Sequence, residues 1–314
     1  MRLMDCVASC TGKISHVPGG GKTFEIAAAL AHADAVRSCP IRYVLDDVVT
    51  DVCLRLLDTD RGMLNPANSL LRVPAEQFWV EWFEDRPAPD GAEKRRRRNA
   101  GLLVNAAPNG RSGTIHSFWK NDDGETVSSQ TYIEFDLDGG LTTEPDTVRA
   151  RHVEFPEFQP LLDCMIFRVD AACTAYFAEL AADRREHTMH QFAAITWFDL
   201  AFVFAFATVL ASKDHIVSQP SDLSRLNRAR TKRGKLPLLD HVETRLYLDN
   251  HVTSLPTGED GVRSAPRLHR VRGHLVRRAN LTFWRTTHLR GDPGTILIQR
   301  NVRVTRHGKN GAET

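Results

Sequence analysis

Residues 192–211 read FAAITWFDLAFVFAFATVLA, twenty residues with a single charge, Asp199. That length can cross a bilayer. A helix that is apolar on every side is also what the buried centre of a globular domain requires. Asp199 decides between the two, because an acidic residue near the middle of a membrane span costs roughly 2.5–3.5 kcal/mol. The chain has no second segment of this kind, and its beginning, MRLMDCVASCTGK, has no signal-like apolar stretch. The expectation is a buried central helix with no membrane partner, and Asp199 then needs a buried partner such as an arginine.

Around this helix the chain has the balance of an ordinary globular protein. Of its 314 residues 42% are hydrophobic and 25% charged, enough for a core without disulfide or metal staples. The six cysteines form no C-x-x-C pair, which fits reduced thiols in a cytoplasmic setting.

Upstream of the helix the pattern changes to alternation. FWVEWF (78–83), AGLLVNA (100–106), GTIHSFWK (113–120) and TVSSQTYIEFDLD (126–138) are strand-like, and the last three are separated by PNGRS and NDDGE. Asn-Gly and Asp-Gly between such runs signal hairpins, so an antiparallel meander is expected over about 77–138. The run RPAPDGAEKRRRRN (86–99) is expected to be a basic loop. On the last strand Glu134, Asp136 and Asp138 share a face with Tyr132, while Ile133, Phe135 and Leu137 point to the core. Aligned carboxylates can hold Mg²⁺, and an exposed polar face explains them equally well. Residues 157–213 have helix-forming composition and carry Glu186, His187 and His190, a surface trio or a weak ligand set.

PGGGKT (18–23) ends as many nucleotide-binding loops do, and IRYVLDD (41–47) resembles the strand that closes such sites. A phosphate loop needs a first glycine at position 16, where this chain has His16. The expected role is a Gly-rich lead into a helix over Thr23–Ser38.

Downstream the charge turns over. From Arg225 to the end there are 19 Lys/Arg against 7 Asp/Glu, a surplus of twelve cations, while the preceding residues carry a deficit of ten. Such asymmetry points to a polyanionic partner, or to two parts of one chain that attract each other. HVETRLYLD (241–249) alternates as a strand, and three more strands are expected near 267–277, 281–288 and 295–305. The fold class is therefore α+β: an antiparallel meander, a buried apolar central helix and a basic C-terminal antiparallel sheet. Four segments follow: an N-terminal α/β segment (1–70), the meander with its basic loop (71–156), a helical section (157–214) and a basic β-rich region (215–314).

The strings LNRARTKRGKLPLLDHVETRL (226–246), RLHRVRGHLVRR (267–278) and THLRGDPG (287–294), with RVPAEQFWVEW (72–82), resemble an uncharacterised protein family common in phages and prophages of proteobacteria. The likeness runs over about 70–310, and this chain has Leu275 where relatives often carry Trp. It implies a phage setting, in the cytoplasm of the host cell, and no particular chemistry.

Candidate residues follow from the basic strands. Arg270, Arg272, Arg277 and Arg290 can grip phosphate through their guanidinium forks, with His269 beside them. His274 and His288 are the candidate acid–base pair should the protein cleave phosphodiesters without a metal. Phe283 and Trp284 offer rings on which bases could stack. The spacing of His269, His274 and His288 fits no zinc pattern, and no cofactor is expected. The leading expectation is a phage accessory protein that binds nucleic acid or another polyphosphate. The alternatives are a protein-interaction factor, for counter-defence or in a virion, whose arginines are structural, and a metal-independent nuclease.

Overall fold

The computed structural model describes residues 2–9, 26–59, 64–86, 96–120, 126–144, 147–149, 156–211 and 216–246, and the strand backbones 269–271, 274–278, 281–285 and 288–290. The chain forms two compact units, Met1–Tyr247 and Leu248–Thr314.

The first unit is built on one nine-stranded sheet. Two helices, α1 (Leu3–Ala8) and α2 (Ile26–Ser38), precede β1 (Arg42–Leu45), and α3 (Asp47–Thr59) follows it. The meander is β2 (Gln77–Arg86), β3 (Arg96–Ala106), β4 (Ser112–Lys120) and β5 (Thr126–Asp136). Then come β6 (Thr147–Val148), α4 (Gln159–Leu162), β7 (Met165–Val169), α5 (Thr174–Glu179) and the long α6 (Ala182–Leu210). The unit closes with β8 (Ile216–Pro220), α7 (Ser224–Lys232) and β9 (Val242–Leu246). The strand order is β6-β7-β5-β4-β3-β2-β1-β9-β8. Strand β1 runs parallel to both neighbours, β2 and β9, and the other pairings are antiparallel. The sheet thus joins strands from all four segments distinguished in the sequence.

Helices cover both faces of the sheet. On one side α1 and α2 pack Leu3, Met4, Val7 and Val36 onto Trp79, Leu103 and Phe118. On the other side α6 lays Phe202 flat on Trp82 at 4.0 Å, with Phe204 edge-on to Phe135 and Phe206 edge-on to Tyr43. The alternation of β2 explains the division, since Trp79 and Glu81 face α1 while Phe78, Val80 and Trp82 face away. The apolar window of α6 is long enough to span a bilayer, and here it is 76% buried inside the protein. The central helix is therefore a core element of an α+β fold. Within that core Asp199 has a partner on the sheet: Ser117 Oγ donates to its Oδ2 at 2.6 Å.

Several local readings change. The tail of IRYVLDD caps a helix: Asp46 Oδ1 accepts the Val49 N–H at 2.8 Å, and the acidic residues sit at the positive end of α3. MIFRV (165–169), expected within a helical section, is strand β7, because β-branched and aromatic residues suit a pleat between β5 and β6. The basic loop is shorter than expected. Strand β3 begins at Arg96, and its register sets Arg98 opposite Glu84 and Arg97 opposite Asp85, opposite charges that favour pairing. PGGGKT lies outside the described residues.

In the second unit two two-stranded antiparallel sheets are described. One pairs β10 (His269–Val271) with β13 (His288–Arg290), the other β11 (His274–Arg278) with β12 (Leu281–Arg285). The strand expected at 295–305 lies outside the described residues.

Candidate functional site

The candidate residues of the basic region fall on different ribbons. In β10–β13, His269 stands opposite Arg290 and Val271 opposite His288, so His269, His288 and Arg290 occupy one face of the pleat and Arg270 the other. In β11–β12, His274 stands opposite Arg285, and Arg277 occupies the alternate face with Leu275 and Trp284. The continuous strand expected at 267–277 would have aligned Arg270, Arg272 and His274. Arg270 and His274 instead belong to separate two-stranded sheets, and Arg272 lies outside the described residues. His274 and His288, the candidate acid–base pair, are likewise on separate ribbons.

The basic stretch that opens this region belongs to the first unit. Helix α7 has no buried residue. Asn227 holds the following segment, accepting the Leu238 N–H at 2.7 Å and donating to the Leu238 carbonyl at 2.9 Å. Arg230 Nε donates to the Leu236 carbonyl at 2.9 Å. Gly234, at φ +68°, turns the chain out of the helix as only glycine does without strain. Arg225, Arg228 and Lys232, spaced three and four apart, share another side of the helix. These three, with Arg233 and Lys235, are exposed, and among the described residues none has a carboxylate within ion-pair distance. Leu226 and Leu236 stand out between the cations, 48% and 60% exposed.

A second constellation, missed in the sequence, lies beside the sheet. His32 Nε2 on α2 and His116 Nδ1 on β4 both lie 3.1 Å from the same oxygen, Oδ2 of Asp170, just beyond the end of β7. Side-chain exposures are only 12% for His32, 21% for His116 and 8% for Asp170. Neighbouring rings hold the imidazoles in place. His32 is edge-on to His116 and Phe118, and His116 stacks on Tyr132 at 5.1 Å. Asp170 is fixed through its backbone, its N–H donating to the Gln130 carbonyl and its carbonyl accepting the Cys173 N–H. Among the described residues these three form the group of His, Cys, Asp or Glu able to hold a metal ion. One signal was available: His116 alternates onto the same strand face as Phe118, a core-facing stripe. Reading MIFRVD as helix hid the third member.

The other candidate ligands are engaged elsewhere. Glu134 pairs with Arg168, which also reaches Glu144 at 2.9 Å. Asp136 accepts the N–H groups of Asp138 and Gly140, and Asp138 pairs with Arg111 at 2.8 Å. The arginine holds the Asp138 carboxyl below its usual range. On α6, His187 meets Gln191 at 3.0 Å and exposed His190 lies 3.8 Å from Glu186. Glu186 and His190 line a groove of about 860 Å³ between α6 and β6, floored by Met189, Ala193 and Trp197.

No family model, no curated protein and no solved structure matches this chain.

Proposed function

We propose that this is a phage or prophage accessory protein that binds nucleic acid or another polyphosphate through the basic residues of its C-terminal third. The observation that carries the reading is α7 and its exit turn, where Arg225, Arg228, Lys232, Arg233 and Lys235 stand in solvent without carboxylate partners among the described residues. Cations neutralised by the acidic front of the chain would carry their partners with them. Guanidinium and ammonium groups left open in this way attract phosphate by charge alone, without base readout. The register of β10–β13 supports the same reading, since it groups His269, His288 and Arg290 on one face. The phage setting rests on the reading of residues 226–246 and 267–294 as resembling phage proteins.

The test is binding of single-stranded and duplex oligonucleotides, with inorganic polyphosphate as competitor, across a range of salt. The Arg225→Ala/Arg228→Ala/Lys232→Ala protein should bind more weakly, with a salt slope smaller by about one per lost contact. An Arg270→Ala/Arg277→Ala/Arg290→Ala protein should behave the same way while keeping the unfolding temperature of the unmodified protein. Unchanged affinity and slope in both would overturn the assignment.

Leu226 and Leu236 favour a second reading, a protein partner with an acidic face that also accepts two apolar side chains. Leu226→Ser/Leu236→Ser separates the two, because polyanion binding tolerates this change and a protein contact does not. Nuclease activity is the third. It requires cleavage by the unmodified protein, lost in His274→Ala and His288→Ala with binding retained.

A further inference from the structure

We propose that His32, His116 and Asp170 form a binding site for one divalent first-row transition-metal ion of the zinc type, with a fourth position open to water or to an added ligand. The three donors come from α2, β4 and the turn after β7, so the site exists only when the sheet and its covering helix are assembled. The donor atoms lie within 4.8 Å of one another, and each imidazole nitrogen stands 3.1 Å from Asp170 Oδ2. Ligands held about 2.0–2.1 Å from a tetrahedral centre stand about 3.3 Å apart, so these separations close onto an ion with small adjustments. Two imidazoles with one carboxylate suit zinc and its neighbours far better than Mg²⁺ or Ca²⁺, which prefer all-oxygen shells. Three protein donors leave a tetrahedral ion one vacant position, the pattern of zinc sites that work on a bound water.

The rival is a purely structural His–Asp–His hydrogen-bonded cluster. Such a cluster tolerates any arrangement in which the rings reach either carboxylate oxygen. Here both rings converge on one oxygen, and neighbouring side chains fix them: Phe118 against His32 and Tyr132 flat on His116. The backbone of Asp170 is pinned at Gln130 and Cys173. A preorganised first shell with rings locked by packing is what a metal site needs to avoid paying ordering entropy on binding.

The experiment uses full-length protein stripped with a chelator. Zn²⁺ is titrated against a chromophoric chelator, and Co²⁺ is titrated while its visible bands are followed. One ion per chain is expected, with the strong Co²⁺ absorption of a tetrahedral site, displaced by Zn²⁺ and not by millimolar Mg²⁺. Asp170→Asn and His116→Ala should each weaken Zn²⁺ binding by at least ~100-fold, the upper end of what loss of even an outer-sphere partner costs. His187→Ala/His190→Ala, at the exposed histidines of α6, should bind as the unmodified protein does. X-ray absorption at the zinc edge of the unmodified protein should report two imidazoles and one carboxylate, which keeps the test open if a variant fails to fold. The proposal is overturned by the lack of a stoichiometric ion, by a spectrum without imidazole, by full retention in the Asp170 and His116 variants, or by loss in the His187/His190 variant.

Discussion

Ser117 donates its hydroxyl to Asp199 Oδ2 at 2.6 Å, across the boundary between β4 and the apolar helix α6. Both residues are buried. A bilayer would offer the carboxylate no donor, whereas the sheet does, and the apolar helix is thereby fixed in rotation against β4. Ser117→Ala strips a buried carboxylate of a donor and should cost about 1–3 kcal/mol. Urea unfolding measures it, as a shifted midpoint with unchanged slope. A change below a few tenths of a kcal/mol would show the bond to be dispensable.

Glu81 ties the amino-terminal helix to the sheet. Its carboxylate accepts the N–H groups of Leu3 at 3.3 Å and Met4 at 2.9 Å and the indole N–H of Trp79 at 3.1 Å. Burial nonetheless pushes its carboxyl above the ordinary range, with those donors and the charge of Arg2 pulling it part of the way back. A carboxyl raised in the folded state binds more protons folded than unfolded. Its contribution is present below the ordinary Glu range and is lost as pH rises through the folded value. The stability of Glu81→Gln relative to the unmodified protein should therefore improve as pH rises from about 4.5 toward neutrality. Any cost of misplacing the amide is independent of pH and leaves this slope intact. Unfolding free energies at a series of pH values decide it; a flat difference would contradict the burial argument.

Gly101 lies beneath Trp79. A Cβ at that position would stand 2.4 Å from the indole Cζ2 and 3.0 Å from Leu3 Cδ2. Gly101→Ala must push the indole off Glu81 or lift α1, an overpacking cost of about 1–3 kcal/mol. The fluorescence of Trp79 should shift in the folded variant, and an unaltered spectrum with unaltered stability would show that the space exists.

The cysteines Cys6, Cys39, Cys53, Cys164 and Cys173 are free and buried. Burial pushes the thiols of Cys39, Cys53, Cys164 and Cys173 up, and the charge of Asp170 adds to the effect at Cys173. Thiolate is the reactive form, so in a Cys10→Ser background the folded protein should react with a thiol reagent roughly 100-fold or more slowly than in denaturant. Fast stoichiometric labelling of the folded protein would place at least one of these thiols at the surface.

Much of the frame was legible in the chain because its signals are local. The alternation of Phe78–Phe83, Ile115–Phe118 and Ile133–Leu137 and the turn at Asn109-Gly110 mark the meander within windows of a few residues. The twenty apolar residues around Asp199 mark the central helix in the same way. MIFRV was misread because a five-residue stretch, apolar except for Arg168, is too short for its periodicity to separate strand from helix. The open cations of α7 were half legible: composition counts charges, and only the coordinates show that Arg225, Arg228 and Lys232 find no carboxylate among the described residues.

The sequence alone therefore determined the α+β class, the buried helix and the division of charge, since each depends on periodicity or on counting. The tertiary structure decided which segments became neighbours. It set β1 between β2 and β9, turned Asp199 toward Ser117, and brought residues 32 and 116 each to within hydrogen-bonding distance of residue 170. Contacts between distant segments depend on strand order and on which helix covers which face. Both are settled by burying the largest apolar area in one assembled sheet, and no local pattern encodes that outcome.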